Sequence, residues 1–282
     1  MSQKRVAAIH DISGFGKCSL TVALPILSAA GIETSVIPTA VLSTHTGGFE
    51  GFTYRDLTED MLPFAEHWKS LNLHFDSIYT GFLGSFAQID IVSNIFNLLK
   101  SEDTFIMVDP CMADNGELYS IYTKEMASGM TKLAAKADII VPNLTEASMM
   151  LGREYKEGPY TREYIEDLLK SLATLGCQKV VLTGVWFQPH LLGAACYDKK
   201  TDRVEYAFNL KIEGSYHGTG DVFASALLAG LLNRFSLGDA TQLAVDFTFS
   251  AILRTKEART DRRFGVNFEE SIPQFLKDLS LI

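Results

Sequence analysis

Residues 213–232 read EGSYHGTGDVFASALLAGLL: a threonine between two glycines, an aspartate, then an apolar run of helical length. Gly218, Thr219 and Gly220 precede a helix expected over Asp221–Asn233, so freed backbone N–H groups and the positive helix end together make an anion site. As a fold-level feature alone, Asp221 would be an N-cap or first-turn acid. Two glycines are a costly way to cap a helix, at roughly 0.5–1 kcal/mol each relative to alanine. They are better explained by a phosphate that must approach the backbone closely. An anion hole beside a carboxylate suits phosphoryl transfer to an alcohol: the N–H groups stabilise the transferring charge and Asp221 accepts the hydroxyl proton.

Upstream of this stretch, short runs rich in Val and Ile alternate with amphipathic segments. VAAIH, TSVIPT, DSIYTG, FIMVDP, ADIIVPN and KVVLTGV read as buried strands. Helical spacing of apolar residues predicts helices over Ser19–Ala30, Thr58–Leu71, Ser85–Leu99, Tyr122–Lys136 and Thr161–Leu175. This alternation predicts an α/β fold with a mostly parallel central sheet and helices on both faces. LLGAACYD and VEYAFNL, joined by KKTDR, read as an antiparallel hairpin. After it come helices over Asp239–Arg254 and Phe268–Leu279, with Gly238 marking the gap before the first of these. With no repeat or linker, residues 1–282 read as one domain.

Ligands in such sheets bind at the carboxyl ends of the strands. Asp109 and Asp114 in VDPCMADNGELY, and Asn143 and Glu146 in VPNLTEA, fall there, as do Thr183 and Gly184 in LTGV. Three carboxylates near one edge, Asp109, Asp114 and Glu146, suit a magnesium ion held partly through water. Taken singly, Asp109-Pro110 equally fits a capping turn and Glu146 a first-turn helix acid.

The N-terminal IHDISGFGKCSL invites a Walker reading, which fails twice. Asp11 stands five residues before Gly16, where a carboxylate would repel phosphate, and Cys18 follows Lys17 where a hydroxyl is needed.

The 282 residues are 47% hydrophobic and carry a net charge of −9. That charge argues against nucleic acid or an anionic membrane surface as the main partner. Four dispersed cysteines form no CxxC pair and read as buried free thiols. The apolar stretch ASALLAGLL is too short to span a bilayer, and VAAI is too short for a signal peptide, so a cytoplasmic protein is expected.

The motifs LPILSAAG, PTAVLSTHTG, TGFLGS, VDPCMADNGELY, PNLTEA and GTGDVFA, together with the HDISGFGKCS start, resemble the vitamin B6 kinase branch of the ribokinase-like superfamily over essentially the whole chain. The resemblance implies a ribokinase-like three-layer sandwich that transfers phosphate from ATP to the hydroxymethyl group of pyridoxal, pyridoxine or pyridoxamine. It makes Asp221 the base and Gly218, Thr219 and Gly220 the anion hole. Asp109, Asp114 and Glu146 would organise Mg2+, and Asn143, Thr183 and Gly184 would lie along the ATP phosphates. Asp11, Ser13, His45, Thr46 and Phe82 would meet the pyridine ring, Phe82 by stacking. Potassium as a second cation and a homodimer are further implications. Phe82 stands where tyrosine is common, Ala113 where glycine is common, and His217 directly precedes the anion hole. A hydroxymethylpyrimidine kinase and a non-catalytic ligand-binding relative are the alternatives.

Overall fold

A computed structural model describes residues 3–282. Its nine-stranded sheet has a parallel centre. In chain order the strands are β1 (Arg5–Ser13), β2 (Glu33–Leu42), β3 (Tyr54–Asp56), β4 (Ser77–Thr80), β5 (Phe105–Val108), β6 (Ala113–Asp114), β7 (Glu117–Leu118), β8 (Ile139–Ile140), β9 (Lys179–Val185), β10 (Leu191–Asp198) and β11 (Arg203–Leu210). The sheet order is β11-β10-β9-β8-β5-β4-β1-β2-β3, with β6 and β7 pairing separately as a small hairpin. Strands β9 through β2 in that order pair in parallel. The flanking β3 and the β10–β11 hairpin run antiparallel. The strand order reverses about β1, with β2 on one side and β4 on the other, which opens a crevice at their carboxyl ends.

Helices cover both faces. On one lie α1 (Leu20–Ala29), α7 (Thr219–Leu232), α8 (Leu237–Glu257) and α9 (Ile272–Asp278). On the other lie α2 (Thr58–Ser70), α3 (Phe86–Leu99), α4 (Lys124–Ala134), α5 (Leu144–Met150) and α6 (Arg162–Ala173). Strand side chains alternate between the two cores: Ile78 faces α2 and α3, whereas Tyr79 faces α1 and α7. The result is the three-layer ribokinase-like sandwich expected from the sequence. The three-residue edge strand β3 and the β6–β7 hairpin were not expected, and helix α5 was expected only under the alternative reading of Glu146 as a first-turn acid. Each is too short to show a period. Gly238 lies inside the first turn of α8 rather than before it, where a Cβ would stand 2.7 Å from a carboxylate oxygen of Glu205.

Two groups of helix starts stand apart. Ser85, Thr123, Thr161 and Ser236 cap α3, α4, α6 and α8, each hydroxyl accepting an N–H three residues on. Helices α1 and α7 begin at Ser19 and Gly218 with positive φ and no side-chain cap. These two helix ends face the crevice.

One buried polar side chain ties the acceptor side of the crevice to the scaffold. The Gln88 amide on α3 donates to the Thr39 carbonyl (3.0 Å) and the Thr58 hydroxyl (3.0 Å), and accepts from Gly84 N–H (2.7 Å). Gln88→Leu would leave Gly84 N–H and the Thr39 carbonyl without this partner. We expect it to lower unfolding free energy by about 2–4 kcal/mol, read as a lower urea midpoint at unchanged slope.

Candidate active site

The crevice is a cleft of about 460 Å³ at the carboxyl ends of β1, β4, β5 and β9. Its walls bring together every site residue expected from the sequence except Gly184. Gly184 turns at φ +79 and is exposed at the end of β9, outside the cleft lining. Five carboxylates line the cleft, those of Asp11, Asp109, Asp114, Glu146 and Asp221, and none of the lining residues is Lys or Arg.

The anion end is built by backbone. Val222 N–H donates to the Gly218 carbonyl (3.0 Å) as the first bond of α7, so the N–H groups of Thr219, Gly220 and Asp221 have no intrahelical acceptor. The Thr219 hydroxyl donates back to the Tyr216 carbonyl (3.1 Å). The two glycines differ in purpose. Gly218 sits at φ +76 and a Cβ there would stand 2.1 Å from the Lys17 carbonyl oxygen, so glycine is required by the fold. A Cβ on Gly220 would meet nothing within 4 Å. Its bare backbone leaves open space at the helix end, where a phosphate could lie against it.

Asp221, in the first turn of α7, is half-buried. Burial pushes its carboxyl up to about 7, aided by the nearby Asp11 charge and opposed by a hydrogen bond from the Ser19 backbone. Asp11 is itself raised by burial, although it accepts from the hydroxyls of Ser19 (2.5 Å) and Ser13 (3.0 Å). Asp109, at the end of β5, is raised well above the usual carboxylate range by burial and then by the charges of Glu146 and Asp221.

The three carboxylates expected to hold metal border one cleft but do not form one ligand set. Among the described residues, no three His, Cys, Asp or Glu side chains converge to hold an ion. Glu146 is taken up by the scaffold. One carboxylate oxygen accepts from Met112 N–H (2.8 Å) and the other from Asn143 N–H (2.8 Å), while the Asn143 side chain accepts from Glu146 N–H (2.9 Å). This is a capping box at the start of α5, the first-turn acid that the sequence left open as an alternative. Burial raises Glu146 to about 7. Asp114 likewise accepts from its neighbour Asn115. Buried negative charge without a lysine or arginine in the lining still suits a cation bridged by water and phosphate oxygens, as magnesium usually is.

At the acceptor end, Phe82 is half-buried against Tyr122, with ring centroids 6.0 Å apart, and Thr46 is an exposed member of the same lining. His45 differs from expectation. Its Nε2–H donates to the Arg263 carbonyl (2.5 Å) and its Nδ1 accepts from Gly47 N–H (3.0 Å). Both nitrogens are spent on backbone, so only the ring carbons face a ligand. Burial lowers its pKa, and His217, at a centroid distance of 5.1 Å, lowers it further.

Lys17 turns away from the cleft. Its ammonium pairs with Glu269 (2.9 Å) and donates to Asn267 (3.0 Å), which excludes a Walker role in this arrangement. The lining also contains residues that sequence reading passed over, Ser19, Tyr119, Ser120, Tyr216 and Phe223, together with His217, noted beside the anion hole, and the half-buried Cys18 and Cys111. The two cysteines depart from the expected fully buried thiols, whereas Cys177 and Cys196 match them. Cys111 had a legible signal in DPC after a strand. Tyr119 and Ser120 had none, since the hairpin that delivers them has two-residue strands.

Known proteins share this architecture. A family model described as phosphomethylpyrimidine kinase matches residues 26–265. The pyridoxal kinase of Arabidopsis thaliana is 28% identical over 255 residues, which cover 87% of this chain and 79% of that one. A Bacteroides thetaiotaomicron protein named for the phosphomethylpyrimidine kinases is 38% identical. Its structure superposes with a TM-score of 0.94 over 97% of this chain and 94% of that one. An orthorhombic crystal form from the same organism contains pyridoxal. The pyridoxal kinase of Lactobacillus plantarum is 29% identical, with a TM-score of 0.89 over 98% of both chains. With its fold and most of its length matched in this way, the chain belongs to the phosphomethylpyrimidine kinase family of ribokinase-like enzymes.

Proposed function

We propose that the protein is an ATP-dependent kinase that phosphorylates the hydroxymethyl group of pyridoxal, pyridoxine or pyridoxamine, and that residues 1–282 act as one kinase domain. The observation that carries this reading is a carboxyl raised to about 7, Asp221, beside a helix end whose N–H groups lack partners. A base poised near neutrality takes the acceptor's hydroxyl proton as the oxygen attacks in line. The N–H groups of Thr219 and Gly220 stabilise charge on the transferring group. Asp11 and Ser13 offer polar contacts to the heterocycle and Phe82 an apolar face. Asn143 and Thr183 border the donor end. Magnesium would neutralise phosphate charge, with Asp109 and Asp114 holding its waters and Glu146 acting from behind as a cap. The family resemblance further implies potassium and a homodimer, and a cytoplasmic setting is the expectation from the sequence; none of these enters the steps above.

The family description also supports a second reading, hydroxymethylpyrimidine as the acceptor. Pyridoxal in the 38%-identical relative favours the pyridine. An ADP-release assay with pyridoxal, pyridoxamine and hydroxymethylpyrimidine in parallel separates them. We expect the highest kcat/KM for a pyridine, and no ADP release with any acceptor would leave only a non-catalytic binding protein.

Asp221→Asn keeps the shape of the side chain without its basicity, so kcat should fall roughly 10²–10⁴-fold with ATP affinity nearly unchanged. Lys17→Met should leave ATP affinity intact and cost at most a modest change in rate. The reverse pattern would overturn the assignment of the two loops.

The pH dependence follows from the raised Asp221 carboxyl. Only its ionised form accepts a proton, so kcat/KM for the acceptor should fall about tenfold per unit below about pH 7 and level off above it. Stability runs the other way. A carboxyl raised by folding contributes most below its unfolded value, and that contribution is lost as pH rises through about 7. A pH titration of chemical unfolding should show this partial loss in wild type and a smaller one in Asp221→Asn.

A further inference from the structure

The proposed reaction brings a triphosphate into a cleft lined by five carboxylates and no lysine or arginine. Magnesium offsets part of that charge, but phosphoryl transfer elsewhere commonly recruits a cationic side chain as well. Cations of the loop after β1, of α8 and of the segment following it are engaged. Lys17 pairs with Glu269, Arg254 with Glu270, and Arg263 with Asp261.

Arg262 differs. Among the described residues it pairs with no carboxylate, and its guanidinium lies over the ring of Tyr216, 4.9 Å from the centroid. Tyr216 lines the cleft, and its carbonyl accepts from the hydroxyl of Thr219 in the anion hole. The segment is shaped to admit the guanidinium. A Cβ on Gly214, at φ +119, would stand 2.2 Å from Nη1 of Arg262, so any other residue there would displace it. A cation held on an aromatic face at an exposed position is weakly retained and keeps all five donors available. Its flexible stem allows it to leave that face for a stronger partner.

We propose that Arg262 is a phosphate-contacting residue, held here on the ring of Tyr216 and able to move onto the phosphates of a nucleotide at the Gly218–Gly220 helix end. The inference rests on the kinase reading. It accounts for three features together: a guanidinium with no carboxylate partner, a glycine that admits it, and an acidic cleft whose lining has no lysine or arginine.

The test compares wild type with Arg262→Met, which keeps the apolar stem, and Arg262→Lys, which keeps the charge. Calorimetry in the presence of magnesium would measure binding of a non-hydrolysable ATP analogue, AMP and pyridoxal, alongside thermal unfolding. In Arg262→Met the analogue should bind about 10–100-fold more weakly, as expected for a lost charge-assisted bond. AMP and pyridoxal should bind as in wild type, and Arg262→Lys should recover part of the loss. Unchanged analogue binding would overturn the proposal. So would equal weakening of all three ligands together with a lower unfolding temperature, which would make Arg262 a packing residue for Tyr216. Absence of ADP release in the wild type would instead sink the kinase reading, and the binding comparison would still decide whether Arg262 meets phosphate.

Discussion

The contact between Gly218 and the carbonyl of Lys17 holds the two halves of the cleft together. The loop after β1 carries the groups suited to a heterocycle, and the start of α7 carries those suited to phosphate. These segments lie some two hundred residues apart in sequence. They meet backbone to backbone, because Gly218 adopts a left-handed conformation and has no Cβ to collide with the loop. Gly265 presses on the other side of Lys17, where a Cβ would stand 2.7 Å from the lysine's own Cβ. The Lys17 N–H donates to the Phe264 carbonyl (3.0 Å) and its ammonium is tied to Glu269. The lysine that looked like a phosphate ligand is thus the bolt between acceptor loop, anion hole and C-terminal segment.

That arrangement gives the carboxylates of the cleft their character. Asp11, Asp109 and Asp221 come from three different elements and converge in one partly buried cleft, so burial raises all three, and neighbouring carboxylate charge adds to the rise of Asp109 and Asp221. Such a site has a standing affinity for protons and cations. Ionising Asp221 in the resting cleft is correspondingly costly, and a bound cation relieves part of that cost. Charge economy links acceptor activation to the arrival of the nucleotide–metal pair without any mechanical coupling.

The sequence made the layers legible because buried parallel strands and amphipathic helices have distinct periods. GTGD was legible because glycines at a helix start have few explanations. Side-chain direction was not legible. NLTE has the spacing of a capping box, and the same spacing places a carboxylate at a strand end; only the fold shows that both Glu146 oxygens turn to backbone N–H groups. The backbone bonds of both His45 nitrogens were hidden for a similar reason, since its partners Arg263 and Gly47 lie in a distant segment and an irregular loop. The two glycines of GTG, alike as letters, separate into one demanded by the fold and one that leaves room.

The thiols of Cys18 and Cys111 both stand in the cleft wall. Burial and the surrounding carboxylates push both well above the ordinary thiol value. The thiolate is the form that attacks electrophiles and is oxidised by peroxide. Both settings disfavour it. The acidity that tunes the base therefore also opposes ionisation of the neighbouring sulfurs, the reverse of the electropositive setting that activates a cysteine.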